Sequence, residues 1–450
     1  MNLLDEFDTI AAIATPLGTG GVGVVRISGD KAFDIIDKIY SKKNLEAGRI
    51  SHGWITDNGK KIDEVLILPF KAPNSYTGEN VIEIHCHGGI NVVQNILDAV
   101  LKHGARIAER GEFTKRAFLN KKMDLSQAEA VADIIHSKTK NFAIQSAKNL
   151  SGVLAREVDG IKGEIFETLS RIVAGIDFPE DVAEPEYSYL LDKFKNSLTR
   201  IDKILDCTKS SDILRQGIKI AIVGKPNVGK SSLFNTLLNI ERAIVTEIAG
   251  TTRDVIKENL DWDLPITLID TAGIREGQEV GKVEEIGIEY SKQSVSEADL
   301  VLFIYDSSQE YTQEDETIFK LLNNKKHLII ANKSDLKEYQ NNLPFEESDI
   351  IKISTLNGDG IEDLKTKIKA IVSEYSSDET EFITNKRQEE CLKKCRESLV
   401  RAIDAAESEE LQDMISIDLK AALISLDEIT GEVITDEILD NIFSHFCIGK

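Results

Sequence analysis

The sequence predicts a multidomain α+β protein in which an α/β domain is inserted into a helical domain, and both follow an N-terminal α+β domain. The chain has 450 residues, more than one hydrophobic core usually organises. Its pattern changes from strands with glycine turns to long helices, and then to alternating strands and helices. Helical periodicity returns after the α/β region, which indicates that the segments on either side of it form one domain.

The N-terminal domain is predicted for residues 1–120. Apolar runs rich in β-branched residues alternate there with glycine turns, as in "TPLGTGGVGVVRISG" and "VIEIHCHGG". This segment carries 14 lysines and arginines against 15 acidic residues, whereas the whole chain has a net charge of −23. The nearly neutral segment is therefore the expected place for an anionic small ligand.

The helical domain is predicted in two parts, 121–217 and 375–450. Apolar residues recur at helical spacing in "QAEAVADIIHS" and "VLAREVDGIKGEIFETLSRIVAGI", and "DFPEDVAEPEYS" with its two prolines marks a break. Between the two parts, residues 218–374 alternate helices with the short apolar strands "IKIAIVG", "PITLID", "DLVLFIYD", "HLIIAN" and "DIIKIS". This alternation predicts a mostly parallel sheet that is covered on both faces.

Composition excludes several classes of protein. The strong negative charge argues against unspecific nucleic-acid binding by this chain alone, so any nucleic-acid role needs a partner. Five scattered cysteines do not form a disulfide framework, and no apolar stretch is long enough to span a membrane. We expect a cytoplasmic protein with reduced cysteines.

The strongest motif is "GKPNVGKSS", which matches the phosphate-binding loop G-x-x-x-x-G-K-S between a predicted strand and a helix. The glycines let backbone N–H groups surround phosphates, Lys230 reaches the β- and γ-oxygens, and the Ser231 hydroxyl binds Mg²⁺. A chance glycine-rich turn is the alternative, which the flanking strand and helix disfavour.

The motif "NKSD" follows the strand "HLIIA" and selects the base. Asp335 can accept hydrogen bonds from N1–H and the exocyclic amine of guanine. Adenine has an acceptor at N1, so its lone pair would face a lone pair of the carboxylate and leave it unsatisfied. Asn332 and Lys333 would brace the base and the loop. Ser354 and Thr355 in "STLNGDG" occupy the place of a third base-contacting loop, although this loop departs from the common Ser-Ala-Lys.

The stretch "DTAGIREG" begins with Asp270 at the end of a strand. Asp270 would lie near Mg²⁺, and the backbone N–H of Gly273 near the γ-phosphate. Ras-like enzymes continue with a glutamine that orients the attacking water, but here Ile274 follows. Either hydrolysis is slow, or another group handles the water and the transition-state charge.

These motifs, together with "GTTRD", the terminal "FCIGK" and the N-terminal "ATPLGTGGVGVVRISG" and "NSYTGENVIEIHCHGG", resemble the MnmE (TrmE) family of tRNA-modification GTPases over the whole chain. The resemblance implies a tetrahydrofolate-binding, dimerising N-terminal domain, a discontinuous helical domain and an inserted Ras-like P-loop G domain. It also implies a homodimer that works with the FAD-carrying flavoprotein MnmG (GidA). Together they add an aminomethyl or carboxymethylaminomethyl group to C5 of the wobble uridine of certain tRNAs. The one-carbon donor would be 5-formyl- or methylene-tetrahydrofolate.

The resemblance also accounts for Ile274. Family members with a hydrophobic residue there dimerise through their G domains and use K⁺ in place of an arginine finger, and Glu284 would orient the water. The implied K⁺ ligands are Asn227, Thr246, Ile248 and Thr251, and the implied Mg²⁺ ligands are Ser231 and Thr252. Two alternatives stay open. Glu284 could be an ordinary exposed residue, because it lies on the solvent side of a predicted amphipathic helix. Arg253 or Arg275 could act as an arginine finger in cis.

Motifs and resemblance together define the expected GTP site. It comprises Asn227, Val228, Gly229, Lys230, Ser231, Ser232, Thr246, Glu247, Ile248, Ala249, Gly250, Thr251, Thr252, Asp270, Thr271, Ala272, Gly273, Asn332, Lys333, Asp335, Ser354 and Thr355.

The folate positions implied by the resemblance are Arg26, Glu83, Lys122 and Lys450. Cations suit the glutamate tail of folate and a carboxylate suits its pterin edge. Cys447 in the terminal "CIGK" is a candidate for the one-carbon chemistry, or it shapes the site. The tail fits a prenylation box poorly and is more typical of a strand that reaches into a pocket.

Other cysteines are interpreted as structural. His85, Cys86 and His87 are adjacent on a strand and therefore point to opposite faces, so we do not expect a metal site there. Cys391 and Cys395 share one face of a helix, which favours buried packing.

Two alternatives to the leading function are a ribosome-assembly GTPase of the Era or Der kind and a folate-dependent one-carbon transferase that GTP merely regulates. The chain has no basic RNA-binding domain, which disfavours the first alternative.

Overall fold

The chain forms two compact units in a computed structural model. The described residues are 8–137, 140–207, 215, 217–239, 257–262, 264–270, 292, 294–322, 325–339, 343–375, 382 and 384–450. The first unit consists of Met1–Ile135, Ser146–Leu205 and Lys386–Lys450, and the second of His136–Gln145 and Asp206–Asn385. The second unit contains the whole predicted G-domain segment, 218–374.

The N-terminal part of the first unit is a six-stranded sheet with three helices. The strands are β1 (Ile10–Ile13), β2 (Gly20–Ser28), β3 (Ser51–Asp57), β4 (Lys60–Phe70), β5 (Val81–Gly88) and β6 (Arg106–Ile107). The helices are α1 (Ala32–Ile39), α2 (Ile90–Lys102) and α3 (Glu112–Leu119). The strand order is β3-β4-β5-β2-β1-β6, antiparallel except for the parallel pair β1 and β6.

Alternation along β2 and β5 separates the buried core residues of these strands from Arg26 and Glu83. Val25 and Ile84 are fully buried and belong to a core that includes Ile36 of α1. Because successive side chains of a strand point to opposite faces, Arg26 and Glu83 lie on the other side. The register places them directly opposite each other on neighbouring strands.

Four helices follow: α4 (Leu125–His136), α5 (Lys140–Leu150), α6 (Val153–Asp177) and α7 (Tyr187–Asp206). Gly152 precedes α6 in the left-handed conformation, φ 83°. The acidic, proline-containing segment between α6 and α7 is outside the helices, as the sequence predicts. Apolar residues at helical spacing bury one side of α6, including Val158, Ile161 and Ile165.

The second unit contains the other six-stranded sheet. The strands are β7 (Ile218–Val223), β8 (Lys257–Trp262), β9 (Leu264–Asp270), β10 (Leu300–Asp306), β11 (His327–Asn332) and β12 (Ile350–Lys352), and the helices are α8 (Lys230–Asn239), α9 (Gln313–Lys320) and α10 (Ile361–Tyr375). The order is β12-β11-β10-β7-β9-β8, parallel except for the antiparallel edge strand β8. Every residue of β10 is buried, as expected for a central strand with both faces covered.

Three helices complete the first unit: α11 (Lys386–Glu407), α12 (Gln412–Thr430) and α13 (Asp436–Ser444). They confirm that the helical domain is built from two separated segments.

Cys391 and Cys395 are buried in α11, as the sequence predicts. Burial raises the pKa of Cys391 to about 11, so this thiol stays protonated at neutral pH. None of the helices in the described ranges is long and apolar enough to cross a membrane.

A buried ion pair joins the two segments of the helical domain. Arg387, in the first turn of α11, donates through Nε and Nη2 to the two carboxylate oxygens of Glu129 in α4, each at 2.8 Å. Gln388 donates to the same carboxylate at 2.6 Å. Arg387 also donates to the carbonyl oxygens of Glu428 and Ile429 at the end of α12. One guanidinium thus connects three helices.

We expect Arg387→Met to destabilise the protein by about 3–5 kcal/mol, because it leaves the Glu129 carboxylate buried without its cation. Urea unfolding of the full chain, followed by circular dichroism, measures this change. The matched control is Arg396→Met on the same helix, whose partner Asp202 is exposed; an exposed pair contributes roughly 0–1 kcal/mol. Equal effects of the two substitutions would contradict the structural role of the buried pair.

Candidate GTP and N-terminal sites

The phosphate loop lies between β7 and α8, where the sequence predicts it. Lys230 is buried, and its Nζ donates to the carbonyl oxygens of Gly224 at 2.8 Å and Lys225 at 2.6 Å. Gly229 has φ of +103°, and a Cβ there would overlap the side-chain amide of Asn332. Only glycine therefore allows this approach without strain.

The loops after β11 and β12 meet beside this phosphate loop. Asn332 is fully buried; its Nδ2 donates to the Val228 carbonyl oxygen at 2.8 Å, and its Oδ1 accepts from the Thr355 N–H at 3.2 Å. The Ser354 hydroxyl donates to a carboxylate oxygen of Asp335 at 2.6 Å. The structure thus brings together both predicted base-contacting loops and links them to the phosphate loop.

Several predicted residues lie outside the described ones. These are Thr246, Glu247, Ile248, Ala249, Gly250, Thr251, Thr252, Thr271, Ala272, Gly273 and Glu284, and also Arg253, Ile274 and Arg275. Asp270 ends β9, opposite Ile222 of β7, so its backbone lies next to the strand that leads into the phosphate loop.

The N-terminal site is built around Arg26. Its Nε and Nη2 contact one carboxylate oxygen of Glu83 at 2.9 and 2.8 Å, and both side chains are largely shielded from water. The guanidinium lies over the rings of Tyr76 and Phe113, 5.3 and 5.6 Å from their centroids. His85 reaches the other Glu83 oxygen at 3.3 Å. Cation–π contact and the ion pair fix the guanidinium in one orientation.

The C-terminal tail, residues 447–450, enters this site. The main-chain oxygen of Lys450 accepts from the Phe113 N–H at 3.2 Å, and that of Cys447 from the Gly111 N–H at 3.4 Å. Arg26 reaches the Gly449 carbonyl oxygen at 3.4 Å. The tail therefore satisfies N–H groups at the start of α3, which no helical carbonyl can reach.

A buried ionic network supports α3. Glu112 accepts from Arg106 at 2.6 Å and from Arg116 at 2.9 Å, and Arg116 also contacts Glu79 at 3.1 Å. Burial alone would raise the pKa of Glu112, but hydrogen bonds from Arg106 and the Glu109 N–H hold it below its usual range. The carboxylate therefore stays ionised and keeps α3 in place beneath the tail.

The structure brings some of the predicted folate residues together, but not all of them. Arg26 and Glu83 are in contact, and Gly449, next to Lys450, touches Arg26. Lys122 donates instead to the Pro73 carbonyl oxygen, in the β4–β5 loop that also carries Tyr76.

Further along β2, a cavity of about 290 Å³ is lined by Ile13, Thr15, Pro16, Leu17, Gly18, Thr19, Gly20, Val22, Gly23, Gly88, Ile90 and Val93.

Sequence reasoning missed three participants in this N-terminal site. The rings of Tyr76 and Phe113 both contact the Arg26 guanidinium, and His85 contacts Glu83. His85 shares the sheet face of Glu83 because the two are two residues apart on β5, so alternation could have identified it. Cys86 points to the opposite face, where burial raises its pKa to about 11. No local pattern points to the aromatic pair, since both residues come from outside the strands that carry Arg26 and Glu83.

Comparison with known proteins covers the whole chain. The model of the MnmE helical domain matches residues 125–447, and that of the GTP-binding protein TrmE N-terminus matches residues 9–122. The tRNA modification GTPase MnmE of Thermoanaerobacter pseudethanolicus is 46% identical, covering 99% of this chain and 100% of the relative. That of Clostridioides difficile is 44% identical, covering 98% and 99%. A solved structure of Era with MgGDPNP and a segment of 16S ribosomal RNA is 31% identical, covers 34% of this chain and 56% of its own, and has a TM-score of 0.25.

The fold and the phosphate loop define a P-loop GTPase, and the chain carries a candidate second site in its N-terminal domain. The relatives extend over that N-terminal domain, which argues against a ribosome-assembly GTPase. The chain belongs to the MnmE family of tRNA modification GTPases. It is therefore a GTP hydrolase of tRNA modification, and enzymes of this class take guanine nucleotide together with Mg²⁺.

We expect Gly449→Ala to displace the tail. Gly449 has φ of +95°, and a Cβ there would overlap the Ile13 carbonyl oxygen. Amide hydrogen exchange at Gly111 and Phe113, measured by mass spectrometry on peptides spanning 108–116, should quicken by about tenfold or more, since each amide loses its tail partner.

The matched control is Gly59→Ala. Gly59 has a similar φ of +78°, but a Cβ there meets nothing within 4 Å. It therefore carries the same backbone strain without the collision, and exchange at 108–116 should stay as in the parent chain. Equal exchange in all three proteins would show that the tail does not protect α3.

Proposed function

We propose that the chain couples GTP hydrolysis to modification of the wobble uridine of certain tRNAs. With the FAD-carrying flavoprotein MnmG (GidA), it adds an aminomethyl or carboxymethylaminomethyl group to C5, and the carbon comes from 5-formyl- or methylene-tetrahydrofolate. The chain acts as a cytoplasmic homodimer. The observation that carries the proposal is the contact of the C-terminal tail with Arg26, which is itself paired with Glu83, in a chain that also holds a GTP site.

The chemistry of the N-terminal site supports a folate ligand. A carboxylate such as Glu83 can accept from the N–H groups of a pterin, and Lys122 and Lys450 can neutralise the glutamate tail. Arg26 would orient Glu83 by the ion pair seen here. Cys447 is exposed within the tail, as a residue that contacts a one-carbon donor needs to be.

In the GTP site, Lys230 would bind the β- and γ-phosphates, while Ser231 and Thr252 would hold Mg²⁺. Asp335 would accept from guanine, with Ser354 fixing its carboxylate. Asn227, Thr246, Ile248 and Thr251 would bind K⁺ in place of an arginine finger, and Glu284 would orient the attacking water. Asn227 has φ of 65°, a left-handed conformation that asparagine tolerates better than most residues.

The K⁺ proposal predicts faster GTP hydrolysis in KCl than in NaCl at equal ionic strength. We expect at least about a tenfold difference, since an arginine finger contributes on the order of 10³-fold or more in other GTPases. The rate per molecule should rise with protein concentration, because paired G domains complete the site. Asn227→Ala should remove the difference between the salts and still bind GDP. Equal rates of the parent chain in both salts would exclude K⁺ and favour Arg253, Arg275 or an external activator.

The folate proposal predicts that Glu83→Gln and Arg26→Met each weaken binding of 5-formyltetrahydrofolate by about tenfold or more, or roughly 1.4 kcal/mol. Titration calorimetry on the full chain measures this. Arg49→Met is the matched control, because its ion pair with Glu46 is exposed. GTP hydrolysis should be unchanged in all three variants.

The overall function is tested by tRNA modification with and without the flavoprotein. Modification by this chain and folate alone would favour the alternative, a one-carbon transferase that GTP merely regulates. Failure of the complete mixture to modify tRNA would contradict the proposal. Modification retained by Cys447→Ser would remove a nucleophilic role for that thiol while leaving the rest intact.

A further inference from the structure

The connection between β10 and α9, residues 306–315, contacts both nucleotide loops. It begins at Asp306, the last residue of β10, and ends at Asp315 in the first turn of α9. Each of these aspartates binds a lysine that belongs to a different loop. None of the GTP-site residues named above belongs to this connection.

At one end, Asp315 holds the phosphate loop. The Lys225 Nζ contacts one carboxylate oxygen of Asp315 at 2.6 Å and the Thr312 hydroxyl at 3.0 Å. Asp315 is 2% exposed, and its other carboxylate oxygen has no hydrogen-bond partner within the described part of the chain. A carboxylate this deeply buried needs a cation, and Lys225 supplies it.

Lys225 is the second residue of the phosphate loop, so this contact acts directly on the loop backbone. Its carbonyl oxygen accepts from the Lys230 Nζ at 2.6 Å, and its side chain is held by α9. Lys225 is thus held by Lys230 at its carbonyl oxygen and by Asp315 at its side chain. Thr312 and Asp315 also form a capping box at the start of α9, which makes α9 a firm anchor.

At the other end, Asp306 holds the base loop. Its carboxylate contacts the Lys333 Nζ at 2.6 Å and is 5% exposed at the side chain. The neighbouring Ser307 hydroxyl donates to the Asn332 carbonyl oxygen at 2.9 Å. Lys333 has φ of 65°, a conformation that costs free energy in a lysine and persists where its surroundings impose it.

We infer that residues 306–315 form a bracket that positions the two nucleotide loops, with Asp315 acting on the phosphate loop through Lys225 and Asp306 acting on the base loop through Lys333. Both aspartates are positioning residues that act through a lysine. The bracket sets the affinity for guanine nucleotide, and its two ends affect different parts of the ligand.

The test is a double-substitution cycle on the full chain, read by displacement of fluorescent GDP. Asp315→Asn and Lys225→Met should each weaken GDP binding on the order of tenfold, as loss of an orienting partner commonly does. The combined variant should be no weaker than either single one, because both substitutions remove the same contact. Glu314→Gln, an exposed neighbour in the same turn, is the matched control and should bind GDP as the parent chain does.

A second measurement separates the two ends of the bracket. Asp315→Asn should weaken GDP more than GMP, because the β-phosphate is the part that the phosphate loop surrounds, whereas Asp306→Asn should weaken both by the same factor. A lower melting temperature with GDP affinity within twofold of the parent chain would reduce the bracket to a stability element. Additive effects of Asp315→Asn and Lys225→Met on affinity would also overturn the inference.

Discussion

The hydrogen bonds between the C-terminal tail and the start of α3 join the last residues of the chain to its N-terminal domain. The N–H groups of Gly111 and Phe113 are the orphan donors of a helix N-terminus, and main-chain oxygens of Cys447 and Lys450 satisfy them. This contact requires the last helices to return to the first unit. Everything between Asp206 and Asn385 must therefore leave that unit and come back, which makes the nucleotide unit an insertion.

Buried charge pairs join elements of this fold in addition to its apolar cores. Arg387 with Glu129 and Arg116 with Glu112 are largely buried pairs, and the first joins segments far apart in sequence. An apolar core tolerates several packings of similar free energy, but a buried carboxylate without its cation is strongly unfavourable. The Arg387–Glu129 pair therefore penalises a wrong register of α4 against α11, whereas Arg116 and Glu112 lie four residues apart on α3 and stabilise that helix itself. The same reasoning applies to Asp315 and Lys225 in the second unit.

The fold was largely predictable from the sequence, because periodicity and glycine-rich turns reflect local physics. The phosphate loop, the parallel sheet and the return of the helical segment all follow from such patterns. The contacts that complete the sites do not. Tyr76 contacts Arg26 from a loop, and Phe113 contacts it from α3. Lys225 occupies an unspecified position of the phosphate-loop motif, so the motif does not predict its contact with Asp315. A pattern of spacing reports on neighbours along the chain, whereas these partners are neighbours only in three dimensions.

The GTP site and the candidate N-terminal site belong to different units, which places a physical requirement on any coupling between them. A nucleotide can influence the N-terminal site only if its binding free energy differs between two arrangements of the chain. The chain passes from the first unit to the second at the end of α4 and again at the end of α7, and it returns within α5 and at the start of α11. Glu129 lies on α4 and Arg387 on the first turn of α11, so their ion pair joins two of the helices at which the chain changes units. Arg387 also binds the end of α12, which leads through α13 to the tail. A displacement of α4 or of the start of α11 would therefore act on this ion pair, and through Arg387 on the end of α12.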